Sequence, residues 1–520
     1  MAGKNFSILI LAAGKATRFK SEHSKLLHRL AGRPLGEYIL QAAHGAGPDC
    51  LYMMIGHERE EVRKVFARPG LVFIEQNEQL GTGHAVMTAR PELEKSPSPT
   101  VVVLVGDAPL LRSETLCKLV EAHLQARAAC TVLTARLENP TGYGRLVRAG
   151  SRVRGIVEEK VATPAQKKIC EINSGILCFS RAQLLEHLEE LSAENAQKEY
   201  LLTDLIEIFN QHRLKVAAFP LADAREVLGV NDRVELAQIE KLLRLRKAET
   251  LMRDGVTVVN PEATYIDPDV EAGQDSVIEP GASLLGRTRL GSACHIQSYC
   301  NITDSSLADR VTVRPCSVIA DSKIASGVTI GPFAHLRDGA VIEENARIGN
   351  YVEVKKSRVG RGTKALHLTY LGDATLGENA NIGAGTVTCN YDGVKKNPTV
   401  IEDGVFIGSG NMLGGFGHHR RRAARFARHR AQPSSHKKGM GEGPRPSEDA
   451  GGVESATGRP KPCERSTRRG RCARNRGEKG SKRRSARFPR HPAGCRMARW
   501  HQDCKTCDCE PLAWVYNDGH

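Results

Sequence analysis

Three groups of residues in this chain of 520 have types and spacing suited to chemistry. The first follows Phe6–Leu11 (FSILIL), a continuous apolar run that gives way to Leu11-Ala12-Ala13-Gly14-Lys15-Ala16-Thr17-Arg18. A buried strand that ends in a tight, small-residue loop before a helix presents backbone N–H groups to a phosphate. Lys25 follows a helical turn or two later, where a cation could meet the same phosphates. The second is Asp107, reached when the all-aliphatic Val101–Val105 runs straight into Gly106. A carboxylate there sits at the mouth of a sheet, where Mg²⁺ is held by one or two carboxylates together with substrate phosphates. The third is His367, set in the polar segment Lys364–Asp373, among Arg337, Lys355, Tyr370, Asn381, Asn390 and Tyr391, which interrupt an otherwise apolar pattern. Each has a plainer use as well. Glycine loops after strands are common, Asp107 can cap a helix, Lys25 can be a solvated lysine, and a lone histidine in a coil can be a surface or packing residue.

The elements that would position these residues are legible as two patterns. Over about 1–230, apolar runs at Leu51–Ile55, Leu71–Ile74, Val101–Val105, Thr131–Ala135, Ile172–Cys178 and Leu214–Phe219 alternate with helical stretches. That alternation predicts an α/β, Rossmann-like sheet with its site at the carboxyl ends of the strands. Residues 231–254 read as a solvated helical arm, Val234, Leu236, Ile239, Leu242, Leu243 and Leu245 being mixed with charges before Gly255. From 255 to 413 a different period takes over. Val318, Ile324, Ile330, Leu336, Ile342, Ile348 and Val354 recur at every sixth position, with small or branched residues at Val328, Ala334, Ala340, Ala346 and Val352. Neither a helix nor an ordinary strand keeps a strict six; a parallel β-helix of hexapeptide repeats does, one inward aliphatic per flat face. The start of that domain is less regular, with Val270, Ile278, Leu285, Leu290, Ile296 and Ile302 as its aliphatics.

The formal net charge of +16 suggests nucleic acid until it is located. Residues 1–413 carry 49 basic and 49 acidic side chains, so the whole excess lies in 414–520, which has 26 basic and 10 acidic ones. No run reaches the roughly 18 apolar residues a membrane helix needs, and the Ile8–Ala13 run is too short for a secretory signal. Nine cysteines scattered through 1–413 without framework spacing fit reduced thiols in a cytoplasm.

The segments LAAGKATRF (11–19), Lys25, EQNEQLGTGHA (75–85), VGDAPL (105–110), PTGYGR (140–145), VEEK (157–160), EINSGI (171–176), YLLTD (200–204) and GVND (229–232) form an ordered set. In order and spacing it resembles the bacterial bifunctional N-acetylglucosamine-1-phosphate uridyltransferase/glucosamine-1-phosphate N-acetyltransferase family, over roughly residues 5–413. GPFAHLR (331–337), VEVKK (352–356), NIGAGT (381–386) and CNYDG (389–393) extend the likeness through the second half. The resemblance implies a nucleotidyltransferase domain joined to a left-handed parallel β-helix. It implies that Leu11, Ala12, Ala13, Gly14, Arg18 and Lys25 hold the UTP phosphates, with catalytic roles for Arg18 and Lys25. Gln76, Gly81 and Thr82 would read the uracil. Gly144, Glu158, Asn173 and Asn231 would hold the sugar phosphate, and Asp107 and Asn231 would carry Mg²⁺. In the coils, Arg337, Lys355, Tyr370 and Asn381 would bind the sugar phosphate. His367 would be the general base for acetyl transfer, oriented by Glu353, and Ala384, Asn390, Tyr391 and Ser409 would line the acetyl-CoA channel. The substrates implied are UTP, N-acetylglucosamine 1-phosphate, glucosamine 1-phosphate and acetyl-CoA, in a cytoplasmic homotrimer with no membrane partner and no selected nucleic-acid partner. Four departures stand out: Ala16 for a usual glycine, Ser24 for a usual proline, Val105 for a frequent aromatic, and Leu366 for a usual Gly or Asn.

The pattern breaks in mid-coil after Leu413. Residues 414–520 hold no Ile, one Leu and two Val but 20 Arg, a composition expected to be disordered. A shifted reading frame is the expected cause of the break: one permitted codon set for Gly414–Arg421, chosen rather than observed, yields Val-Ala-Ser-Val-Thr-Ile-Gly when read a base later, the sequence of a further coil. Loss of those coils would impair acetyl transfer. Cys504, Cys507 and Cys509 with His501 have partial zinc spacing, and the arginine clusters suit phosphate backbones. Two rival readings remain at this stage. One is another sugar-1-phosphate nucleotidyltransferase with a purely structural β-helix; the other is a non-enzymatic scaffold with a nucleic-acid-binding tail.

Overall fold

Phe6–Leu11 lies next to the central strand, Thr100–Val105, of a mixed sheet because it is apolar at every position but Ser7 and therefore needs cover on both faces. The structure, a computed structural model, describes residues 5–14 and 16–414. The expectations for 415–520, namely disorder, a shifted frame, zinc ligands and nucleic-acid contacts, lie outside the described residues. The sheet runs Val216–Pro220, Cys130–Arg136, Glu171–Ser180, Thr100–Val105, Phe6–Leu11, Cys50–Ile55, Leu71–Glu75. Only Glu171–Ser180 on this path pairs antiparallel with its neighbours. All seven strands overlap the expected runs. An antiparallel hairpin, Arg145–Ala149 with Arg152–Val157, hangs from Glu171–Ser180 and was not legible in the sequence.

His123, on the helix Ser113–Ala126, is buried against the sheet with Nδ1 3.0 Å from the Thr131 hydroxyl. Burial pushes its pKa down from 6.5 to about 4. Between those values the unfolded chain takes a proton that the folded one refuses, so stability is present above pH 6.5 and lost as pH falls toward 4. The expected loss is on the order of 3 kcal/mol over that window. Urea titrations at pH 7 and pH 5 check it, with His123→Gln expected to flatten the difference.

The helix Arg233–Arg253 starts where the Asp232 carboxylate accepts from the Val234 and Glu235 N–H groups, and Gly255 follows it at φ 94°. It is less solvated than its charge pattern suggests. Ile239 and Leu243 enter the core of the sheet domain, while Ala248 and Leu251 enter the core of the coils. Arg244 adds an ion pair to Asp267 at 3.1 Å, with both side chains largely buried.

The coils form a parallel β-helix of three faces. The interior columns are read from the register: Ile278, Ile296, Val313, Ile330 and Ile348 on one face; Leu284, Ile302, Ile319, Leu336, Val354 and Leu371 on the next; Leu290, Leu307, Ile324, Ile342, Val359 and Leu376 on the third. All are buried in one continuous core, as a stack of coils requires. Two expectations are corrected. Val318 is 42% exposed and Ile319 is the inward residue. Likewise Leu284, not Leu285, fills the core. For Val318 the cause is one residue fewer at the corner through Asp321 (φ 46°), so the interval from Ile319 to Ile324 is five, whereas Leu284 keeps an interval of six to both Ile278 and Leu290. The last turn carries an extra loop, so that Leu376 pairs with Ile401.

Candidate active sites

At the carboxyl end of Phe6–Leu11 the chain is tied on both sides, the Ala12 N–H donating to Met54 and the Gly106 N–H to Leu11. The loop therefore leaves the sheet at a fixed place, above a cavity of about 340 Å³. Leu11, Ala12, Ala13, Gly14, Lys25, Gln76, Gly81, Thr82 and Asp107 all line it. Lys25 Nζ lies 2.6 Å from the Asp107 carboxylate, so the two ionised groups neutralise one another. Arg18 Nη2 donates to Asn231 Oδ1 at 2.8 Å. Asn231 is brought beside Asp107 by the Val230 N–H, which donates to the Asp107 carbonyl at 2.9 Å. Asp107 and Asn231 thus offer two hard oxygens, each already held by a cation, which is a donor set suited to a small divalent ion sharing substrate phosphates.

Gln76 is held with Nε2 3.0 Å from His84 Nδ1. Gly81, at φ 113°, precedes the helix Thr82–Lys95, and a Cβ there would stand 2.5 Å from the Tyr200 carbonyl, so only glycine fits. Thr82 accepts from the Leu202 N–H at 3.0 Å, locking the helix start to the 200–204 segment.

A second cavity of about 630 Å³ adjoins the first, sharing Leu11, Thr82, Val105 and Glu199. It is lined by Arg18, Gly144, Glu158 and Asn173, among others. The Asn173 N–H donates to the Gly144 carbonyl at 2.8 Å, which joins two of these residues across strands. Burial, with a smaller push from Asp204, raises the Glu158 pKa above the ordinary carboxylate value. Sequence reasoning passed over Tyr143, whose hydroxyl accepts from Gly229 at 3.4 Å, and the buried Arg145, paired with Glu159 at 2.6 Å. Both lie inside the PTGYGR segment, so the signal was present.

Three of the departures have structural answers. Ala16 sits at φ 47°, ψ 48°, the left-handed region, where an L-residue costs about 1–2 kcal/mol. Ala16→Gly is expected to keep or raise stability by up to about 1 kcal/mol and to improve kcat/KM for UTP no more than a few-fold; thermal melts and UTP saturation curves check both. The Ser24 N–H donates to the Glu58 carboxylate, an interaction a proline would forfeit, and this contact holds the Glu58 pKa low. Leu366 is only partly buried and His367 beside it stays exposed, so the larger side chain does not crowd the histidine.

In the coils, His367 projects from Lys364–Gly372, a strand that turns a corner of the prism. Register places it directly over Asn350, and its Nδ1 lies 3.0 Å from Asn350 Oδ1. Glu353 does not orient it. That carboxylate instead takes Arg337, at 2.9 Å from Nε and 2.7 Å from Nη2. A carboxylate facing a guanidinium one coil away makes charge-assisted hydrogen bonds that a neutral imidazole cannot match. Arg337 pairs in register with Lys355, and Glu353 with Tyr370. Asp338 lies 2.9 Å from Arg337 and 3.8 Å from Lys355. Asn381 pairs with Lys364 on the neighbouring face. Ala384 and Ser409 continue the His367 corner: the Gly385 N–H donates to the Leu368 carbonyl and the Gly410 N–H to the Ala384 carbonyl. Asn390 and Tyr391 lie apart from that corner. Asn390 donates to Asp373 at 2.5 Å, and the Tyr391 hydroxyl donates to the Gly393 carbonyl at 2.7 Å.

Comparison with known proteins agrees with this geometry. A family model for the MobA-like NTP transferase domain matches residues 8–213, and one for the GMPPB C-terminal domain matches residues 260–364. The bifunctional protein GlmU of Syntrophotalea carbinolica is 51% identical over 411 residues, 79% of this chain and 88% of that protein. GlmU of Pelobacter propionicus is 48% identical over 412 residues, covering 79% and 89% respectively. GlmU of Trichlorobacter lovleyi is 48% identical over 407 residues, covering 78% and 88%. Identity of this degree over nearly four-fifths of the chain means that the chain belongs to the bifunctional GlmU family.

Proposed function

We propose that residues 1–230 catalyse transfer of UMP from UTP to N-acetylglucosamine 1-phosphate. Residues 255–413 would carry acetyl transfer from acetyl-CoA to glucosamine 1-phosphate, and 231–254 would join the two. The observation that supports the first activity best is the gathering of Leu11, Ala12, Ala13, Gly14, Lys25, Gln76, Gly81, Thr82 and Asp107 around one cavity that opens onto Glu158 and Asn173. A phosphate oxygen of the sugar 1-phosphate attacks the α-phosphorus of UTP, one P–O bond forms, the bond to the β-phosphate oxygen breaks, and pyrophosphate leaves. The protein contributes position and charge, since phosphoryl chemistry of this kind asks little covalent work of it. Arg18 and Lys25, released from Asn231 and Asp107, turn to the phosphates. Mg²⁺, held by Asp107 and Asn231, would neutralise charge on the phosphate oxygens. Pyrophosphate release requiring UTP, N-acetylglucosamine 1-phosphate and Mg²⁺, and lost on chelation, tests the assignment.

Glu158 gives that assay a pH dependence. The ionised carboxylate accepts sugar hydroxyls more strongly than the neutral acid does, and its raised pKa moves protonation upward from the ordinary glutamate range. The KM for the sugar phosphate is expected to rise as pH is lowered, starting above pH 4.5, while the KM for UTP stays level. In Glu158→Gln this acid limb disappears.

For acetyl transfer, Asn350 Oδ1 accepts the Nδ1 proton of His367 and so leaves Nε2 as the unprotonated base. His367 takes a proton from the glucosamine amine as nitrogen attacks the thioester carbonyl; the amide forms, the C–S bond breaks, and the thiolate takes up a proton. Arg337 and Lys355, paired with Glu353 and Asp338 in the free protein, suit the sugar phosphate. A homotrimer is supported by an exposed ladder beside the His367 corner, Tyr299, Phe333, Tyr351 and Leu368, in which Phe333 and Tyr351 stack at 5.3 Å. Light scattering at three times 56.7 kDa would support it, and a monomer mass would refute it. A second reading, a nucleotidyltransferase whose coils serve assembly alone, draws on the GMPPB C-terminal match over 260–364. A panel of nucleotides and sugar phosphates separates the two.

A further inference from the structure

Away from both sites, two histidines and a glutamate converge where the helix Arg181–His187 meets the end of the helix Leu205–Gln211. His187 closes the first helix, Glu190 ends the short 3₁₀ turn that follows, and His212 caps the second helix. His187 Nδ1 lies 2.6 Å from Glu190 Oε1, and His212 Nε2 lies 3.0 Å from Glu190 Oε2. The two imidazoles face each other at 4.4 Å between centroids. The ligand atoms of all three residues fall within 4.8 Å of one another, the one such group of His, Cys, Asp and Glu among the described residues.

The arrangement is partly preorganised. His187 is only 8% exposed and meets Phe209 edge-on at 5.7 Å, so its ring is set by packing. Glu190 and His212 are 42% and 46% exposed, which leaves the open side reachable from solvent. Two imidazole nitrogens and one carboxylate with a fourth position open to water is a donor set for a borderline divalent ion. It is a poor set for Mg²⁺, which prefers oxygen.

We propose that His187, Glu190 and His212 bind a divalent transition-metal ion of the zinc, cobalt or nickel class, one per chain, clamping the two helices together. In its absence Glu190 bridges the two imidazoles by hydrogen bonds. Binding replaces those bonds with metal–ligand bonds, and small rotations of the two exposed side chains bring the donors to about 2 Å from the ion. The clamp lies at the far end of the helix that follows Leu201, Leu202 and Thr203, away from the larger cavity that those residues line.

The test is a Co²⁺ titration of the full chain, stripped by chelator and then held in excess Mg²⁺ so that oxygen sites are filled. Cys504, Cys507 and Cys509 could take cobalt as well, but thiolate ligation produces a charge-transfer band that nitrogen and oxygen ligation lacks. One equivalent without that band is expected. In His212→Ala and in Glu190→Ala its affinity falls at least about tenfold. Co²⁺ raises the melting temperature of the wild-type chain but not of either variant, and uridylyl transfer in both variants stays at the wild-type rate. Unchanged cobalt affinity and melting shift in the variants, or no nitrogen- and oxygen-ligated cobalt in the wild type, would overturn the proposal and leave the three residues as a hydrogen-bonded clasp.

Discussion

Asp107→Ala is expected to lower uridylyl transfer at least about a thousandfold, with the loss in kcat rather than in KM for UTP. The size follows from what meets at that carboxylate. Asp107 neutralises Lys25 at 2.6 Å and stands beside Asn231, so under the proposed assignment its removal takes away a metal ligand, and it also leaves a largely buried ammonium without its anion. The uracil and phosphate contacts from Gln76, Gly81 and the 11–14 loop do not pass through it, so UTP still binds. Asp107→Asn, which keeps the shape and removes the charge, should lose at least about a hundredfold. Single-turnover pyrophosphate release measures both, with thermal melts to show that the sheet domain remains folded. Full turnover in Asp107→Ala would remove the assignment of this cavity.

The second large effect concerns acetyl transfer, expected to be far slower than uridylyl transfer in this chain. His367, Asn350, Arg337 and Lys355 are held in place by coil-to-coil register. The last described rung is less well supported. Phe406 and Met412 are 69% and 65% exposed, and Ile407 and Leu413 are only partly buried. Ser409, placed on the His367 corner, is exposed there. Residues 414–520 hold too few aliphatics to extend the columns. Replacing 415–520 by the C-terminal segment of the Syntrophotalea carbinolica relative should raise acetyl transfer at least about a hundredfold and leave uridylyl transfer unchanged. In that chimera His367→Ala should remove most of the gain, since a positioned base contributes roughly 10²–10⁴-fold. Acetyl and uridylyl transfer at comparable rates in the original chain would contradict this part of the account. So would a base sequence over codons 414–430 that admits no coil-forming alternate frame, for the shifted-frame explanation.

Much of this architecture is written in local pattern. Val101–Val105 and Phe6–Leu11 could be read as buried strands because a strand covered on both faces is nearly all apolar, Ser7 being the one polar residue and its hydroxyl donating to the Thr100 carbonyl. The Arg145–Ala149 and Arg152–Val157 hairpin could not, because only Arg145, Leu146, Val153, Gly155 and Ile156 of its residues turn inward and arginines interrupt the alternation. In the coils, adjacent aliphatics hid a one-residue slip: Val318 and Ile319 both satisfy a period of six, and only the short corner at Asp321 decides between them. The orienting group was misplaced for a different reason: register sets Asn350 over His367 and Glu353 over Tyr370, and the Glu353 carboxylate reaches to Arg337 of the preceding coil, a side-chain contact with no local signature. The Lys25–Asp107 pair joins residues far apart in the chain and has no local signature at all.

The most direct measurement is product formation by the wild-type chain from a panel of nucleoside triphosphates and sugar 1-phosphates, with and without Mg²⁺. The account predicts UDP-N-acetylglucosamine and pyrophosphate from UTP and N-acetylglucosamine 1-phosphate, only with the metal, and much less product from every other pair. A clear preference for another nucleotide or sugar, or no pyrophosphate from any pair, would contradict it.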